Sequence, residues 1–162
     1  MEEQICCFTG HRVIPSEEHL EIVSRLGKAM DRVLEQGIRT FCVGGALGFD
    51  TLAAVTVLFY KQFMPEIKLI LILPCKTQTR GWKPLNIKTY EEIKQLSDEV
   101  IYVSEEYTRS CMFERNRKLV DMSTYCICYL TKATGGTAYT VKYAKKKNLQ
   151  IINIGDTAEA KL

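Results

Sequence analysis

The chain predicts an α/β fold: a doubly wound, mainly parallel six-stranded sheet with helices on both faces. Three observations carry that expectation. Strand-like and helix-like segments alternate six times along 162 residues, which is the rhythm of βαβ units. The strand segments are near-continuous apolar runs rather than alternating ones, as strands covered on both faces are. The polar and glycine-rich stretches fall where those strands end. Right-handed crossovers turn this order into a Rossmann-like sandwich.

The elements follow in order. Residues 4–8 read as the first strand, stopped by Thr9-Gly10-His11-Arg12. A helix over 16–35 has Ser16 as its N-cap and Leu20, Val23, Leu26, Met30, Val33 and Leu34 as its apolar stripe. Gly37 ends it. Residues 40–43 form a short strand that runs into Gly44-Gly45, and 49–63 a largely apolar helix. The β-branched run 67–73 is the third strand, ended by Pro74. A polar loop over 75–85 precedes a helix over 87–97 and a strand over 99–103. A helix over 112–122, a strand over 125–130, a helix over 137–147 and a strand over 150–154 complete the order. With no repeat, low-complexity stretch or linker, residues 1–155 read as one domain and 156–162 as a frayed tail.

Composition narrows the function classes. Hydrophobic residues make up 46% and charged residues 25%, with a net charge of +3, too mild by itself to argue for sequence-independent nucleic-acid binding. The longest apolar run is too short to span a bilayer, and the acidic Met-Glu-Glu-Gln opening does not read as a signal peptide. Seven cysteines, most inside apolar runs, with only two histidines, fit buried reduced thiols in a cytoplasmic protein and no metal site.

Ligands of open parallel sheets bind beyond the carboxyl ends of the strands, and the unusual residues cluster there. Thr9, Gly10, His11 and Arg12 follow strand one. Gly44, Gly45, Ala46, Gly48 and Asp50 follow strand two, and Gly135, Gly136 and Thr137 follow strand five. The last two loops each place a Gly-Gly pair before a helix, where close backbone approach and unpaired N–H groups suit a phosphate. Asp50 either bonds a ribose hydroxyl or complements its helix dipole; His11 is either a ligand contact or a structural histidine. Arg115, in the first turn of its helix, would reach into the same site. Gln78 and Trp82, from the polar loop, are candidates for contact with a planar base.

The stretches "TGHR", "GGALGFDTLAA" and "MFERNRKLVDMSTYCICYLTKATGGTAYTVKYA" resemble the SMF/DprA–LOG superfamily, most closely its YpsA-like branch of small bacterial proteins. The resemblance implies a domain that binds a nucleotide or nucleotide-derived ligand, often as a homodimer. The LOG branch are phosphoribohydrolases of nucleoside monophosphates; Met112, Glu114 and Arg115 match their Met-x-Glu-Arg helix start, making Glu114 and Arg115 the catalytic candidates of an enzyme. Thr140, however, stands where that branch places its catalytic Glu. The expectation is therefore a binding protein for a nucleotide or an ADP-ribose-like ligand, a sensor or regulator. The alternative is a nucleotide N-glycosidase. A single-stranded nucleic-acid binder ranks third, because no aromatic-plus-basic stripe stands out in the sequence.

Overall fold

The computed structural model describes residues 2–155; the expected tail lies outside the described residues. Six strands form one all-parallel sheet: β1 (Ile5–Gly10), β2 (Thr40–Val43), β3 (Lys68–Leu73), β4 (Glu99–Tyr102), β5 (Tyr125–Tyr129) and β6 (Gln150–Asn153), in the order β4-β3-β2-β1-β5-β6. Five α-helices connect them: α1 (His19–Glu35), α2 (Phe49–Phe63), α3 (Pro84–Leu96), α4 (Cys111–Asp121) and α5 (Gly136–Lys146).

The central strands are buried on both faces, as their unbroken apolar runs predict. Inward-facing residues alternate between two apolar clusters. Phe8, Phe41 and Leu71 meet α1, α2 and α3 on one side; Cys7, Cys42, Ile70 and Cys126 meet α4 and α5 on the other. From β1 the chain winds outward to β4. Through α4 it then returns across the opposite face to place β5 beside β1. The switch point therefore lies between β1 and β5, where their carboxyl-end loops part and leave a crevice.

Three local expectations are corrected. Ser16 is not an N-cap: Ser16–Glu18 form a 3₁₀ turn, α1 begins at His19, and the Ser16 hydroxyl bonds the Glu17 carboxylate instead. That tighter turn sets the phase of the helix, so Leu20 and Val23 face outward, 84% and 39% exposed. Ile22, Leu26, Ala29, Met30, Val33 and Leu34 fill the core stripe. The third helix begins earlier than expected, with Pro84 in its first turn, where a missing N–H costs nothing. The second helix matches its expected bounds, and its outer face leaves Val55, Phe59 and Phe63 exposed at one-turn intervals.

Candidate functional site

Thr9, Gly10, His11 and Arg12 from the end of β1, Ala46 and Asp50 around the start of α2, and Gly136 and Thr137 at the start of α5 line one cleft of about 260 Å³. Met112, Phe113, Arg115 and Asn116 of α4, on the same face of the sheet as α5, close it from the side away from α2. Residues of all three loops thus line a single cleft.

The loops are fastened to one another. The Phe49 N–H donates to the His11 carbonyl at 3.1 Å, and His11 Nε2 accepts from the Thr131 N–H at 2.9 Å. His11 packs edge-on to Tyr129, ring centroids 5.6 Å apart. Burial, aided by Lys132, lowers its pKa, and accepting at Nε2 leaves the ring proton on Nδ1. His11 ties the β1 loop to both neighbours while also lining the cleft. Close packing explains two glycines. A Cβ at Gly10 would overlap the Phe49 ring; one at Gly48, where φ is +78°, would overlap the Arg12 carbonyl.

Arg115 is the electrostatic centre. It is only 4% exposed. Its Nε donates to Asn116 Oδ1 at 2.8 Å, its Nη1 to the Gly44 carbonyl, and its Nη2 to the Met112 sulfur at 3.7 Å, a weak acceptor. No ion pair involves it among the described residues, and donor capacity remains on both Nη atoms. Burial lowers its pKa, while Asp50 pulls it back up. Gly44 carries no side chain because Arg115 lies against it, leaving 2.7 Å between a Cβ there and Nη1.

Asp50 is also buried, and accepts from the Ala46 N–H at 3.1 Å. Burial raises its carboxyl to a pKa of about 6, against the opposing pull of Arg115, the Ala46 N–H and Arg12. Two guanidinium groups and one partly protonated carboxyl therefore face a common space, with a net positive balance. Arg12 itself is exposed at the mouth of the cleft, and its side chain makes no hydrogen bond or ion pair among the described residues.

The remaining candidates fall elsewhere. Gly45, Gly48 and Gly135, all with positive φ, shape the loops without lining the cleft. Gln78 accepts from the Tyr90 hydroxyl at 3.0 Å and donates to the Gly44 carbonyl at 3.4 Å. Trp82 stands edge-on to Tyr90 at 5.5 Å. Both line a neighbouring hollow of about 520 Å³ that meets the cleft at Arg12 and Met112. Glu114 is corrected: it is exposed, accepts from the Ser110 hydroxyl at 2.8 Å and does not line the cleft. Thr140 is buried with its hydroxyl donating to the Gly136 carbonyl at 2.9 Å. Phe113 and Asn116 were missed as cleft residues. A first helical turn reaching past a strand end was the available signal, since residues adjacent to Arg115 share its approach to the site.

A parallel sheet with a cationic cleft at its switch point defines a Rossmann-like α/β domain. The chain belongs to the YspA SLOG family, whose profile matches residues 15–154. It is 31% identical over 121 residues to the SPbeta prophage-derived protein YoqJ of Bacillus subtilis, covering 67% of this chain and 71% of that one. It is 28% identical over 121 residues to a UPF0398 protein of Halalkalibacterium halodurans, covering 73% of this chain and 64% of the relative. Among solved structures, DNA processing protein A (DprA) of Helicobacter pylori aligns with a TM-score of 0.63 at 18% identity. That alignment covers 91% of this chain and 63% of the other, in work on its single-stranded DNA binding mode. DprA of Streptococcus pneumoniae aligns at 0.65 and 16%, over 92% and 49%. The chain thus spans about half to two thirds of the DprA proteins, and the likeness to them shows a common fold.

Proposed function

We propose that the cleft binds a nucleotide or a nucleotide-derived, ADP-ribose-like ligand through its phosphates, and that the chain acts as a sensor or regulator by binding it. One observation carries this reading: a nearly inaccessible guanidinium with unused donors faces the space where the starts of α2 and α5 also converge. A buried cation without an ion-pair partner is costly, and an anionic ligand supplies the missing partner. Helix N-termini add N–H donors and a favourable dipole to the same place. Arg12, exposed at the cleft mouth, would contribute a charge-assisted hydrogen bond of roughly 1.5–3 kcal/mol. Calorimetry with a panel of nucleoside mono- and diphosphates and ADP-ribose tests this. Arg12→Ala should weaken the bound member about 10- to 100-fold at unchanged melting temperature. Unaltered affinity in that variant, or no binding across the panel, sinks the reading.

A second reading, N-glycosidic hydrolysis, is favoured by a single feature. Among the described residues Asp50 is the one carboxyl lining the cleft, and a pKa of about 6 suits proton transfer near neutral pH. It would take a proton from water attacking the anomeric carbon as the bond to the base breaks, the base leaving with the electron pair and gaining a solvent proton. Chromatography of nucleoside monophosphates after incubation separates the readings: free base that disappears in Asp50→Asn supports turnover, and none above the uncatalysed background ends it.

A further inference from the structure

Two opposite charges line the cleft and do not meet. Asp50, in the first turn of α2, and Arg115, in the first turns of α4, are both buried. Buried charges of opposite sign in one cavity ordinarily pair, because an unpaired one keeps its full desolvation penalty. Yet neither Arg115 nor Arg12 forms an ion pair with the carboxylate among the described residues. The Ala46 N–H takes up Asp50 Oδ2 at 3.1 Å, and Oδ1 has no hydrogen bond. No fully buried side-chain oxygen of the described residues lacks a partner, so Oδ1 keeps open surface on the cleft that Asp50 lines.

A bare acceptor and bare guanidinium donors lining one space describe a guest that offers both functions on neighbouring atoms. A phosphate group that keeps one proton does so: its ionised oxygens accept from the guanidinium, and its P–OH donates to the carboxylate. An oxyanion with no proton, such as sulfate, meets the carboxylate with a lone pair and is repelled until Asp50 is itself protonated. A carboxylate ligand gives up its proton at lower pH, and a cation is repelled by the two arginines.

We propose that Asp50 is the specificity-determining residue of the cleft: it shares one proton with the bound oxyanion, so the site takes a hydrogen-bearing phosphate and turns away sulfate. The inference rests on the phosphate-binding reading above and adds to it a requirement for that proton, whichever oxygen holds it. Inorganic hydrogenphosphate brings the proton in. A terminal phosphate monoester, which loses its second proton near pH 6, takes one from solvent above that pH. Sulfate brings none, and above about pH 6 it must wait for the buried carboxyl to take one up. The groups facing Asp50 are His11 and Arg12 from the β1 loop, Arg115 from α4 and the Ala46 N–H; α5 presents Gly136 and Thr137, which do not titrate. The arginines keep their charge throughout.

Equilibrium dialysis of the full chain against radiolabelled phosphate or sulfate, at constant ionic strength and at about pH 5 and pH 8, tests it. At pH 8 phosphate should bind about a hundredfold more tightly than sulfate, two pH units at about tenfold each. At pH 5 that preference should shrink at least tenfold. In Asp50→Asn the amide can donate or accept, so the preference should be small and equal at both pH values. A pH dependence carried by His11 would persist in that variant, and an Asp50 that serves folding alone would leave the ratio of the two anions unchanged. Calorimetry of adenosine monophosphate at pH 8, in two buffers of different ionisation enthalpy, identifies the source of the phosphate. Uptake of about one proton, with affinity at least tenfold above that of phosphate, assigns a nucleotide's terminal phosphate. Affinity no better than that of phosphate assigns the free anion, which supports the role of Asp50 and ends the nucleotide reading. Sulfate bound as tightly as phosphate at pH 8, a preference that survives in Asp50→Asn, tight nucleotide binding without proton uptake, or no binding of phosphate overturns the proposal.

Discussion

Asp50 and the two arginines beside it show how differently neighbouring residues of one cleft contribute. With a pKa near 6 when folded and near 3.9 when unfolded, Asp50 holds its proton in the native state over a window where the unfolded chain has lost it. Stability from this residue is thus largest below about pH 4, falls as pH rises to about 6, and stays lower above. The deficit at pH 8 is on the order of 3 kcal/mol. Asp50→Asn should therefore raise the denaturation midpoint at pH 8 and flatten the decline between pH 4 and 6; a lower midpoint at pH 8 would show the burial to be misjudged. Arg115 works in the opposite sense. Arg115→Ala removes the hydrogen bonds to the Gly44 carbonyl and the Asn116 side chain, and should cost about 1–3 kcal/mol in denaturant melts. Arg12→Ala, which strips no such bond, should melt like the parent.

Helix starts decide how the cleft is walled, and they were legible to different degrees. The two Gly-Gly pairs announced the starts of α2 and α5 because glycine before a periodic run has few other uses. The start of α1 was misread: Ser16 has the composition of a cap, but Pro15 and the 3₁₀ turn that follows shift the helical phase, which periodicity cannot reveal at a helix end. The start of α5 offers a clean experiment. A Cβ at Gly136 would meet nothing within 4 Å, and its backbone is helical. Gly136→Ala should therefore leave the melting temperature unchanged while reducing nucleotide affinity, since the methyl group occupies space at the cleft wall. Lost stability, or affinity preserved at equal stability, would place the ligand elsewhere. At the start of α2 the same change at Gly48 should cost about 2 kcal/mol or more, because positive φ and contact with the Arg12 backbone both oppose it.

For the whole molecule, the sheet order follows from six alternations and the handedness of crossovers, so the convergence of three distant loops was legible in the sequence. The contacts between α4 and α5 were not: Tyr139 meets Phe113 and Arg117 across 26 and 22 residues, and only packing brings them level. Burial of the thiols was legible from the apolar runs around them. All seven cysteines are free and buried, so a chromogenic disulfide reagent should find almost none in the native chain and seven after unfolding. Several fast-reacting thiols in the native chain would contradict the packing of β1, β2 and β5. One residue also governs the whole cleft. His11 holds the start of α2 through its carbonyl and the segment after β5 through its ring, so the gap between two walls is spanned by a single side chain and its own backbone. Such a gap behaves as a gauge of fixed width. If the cleft takes the proposed ligand, association should then proceed without a loop-closing step to slow it.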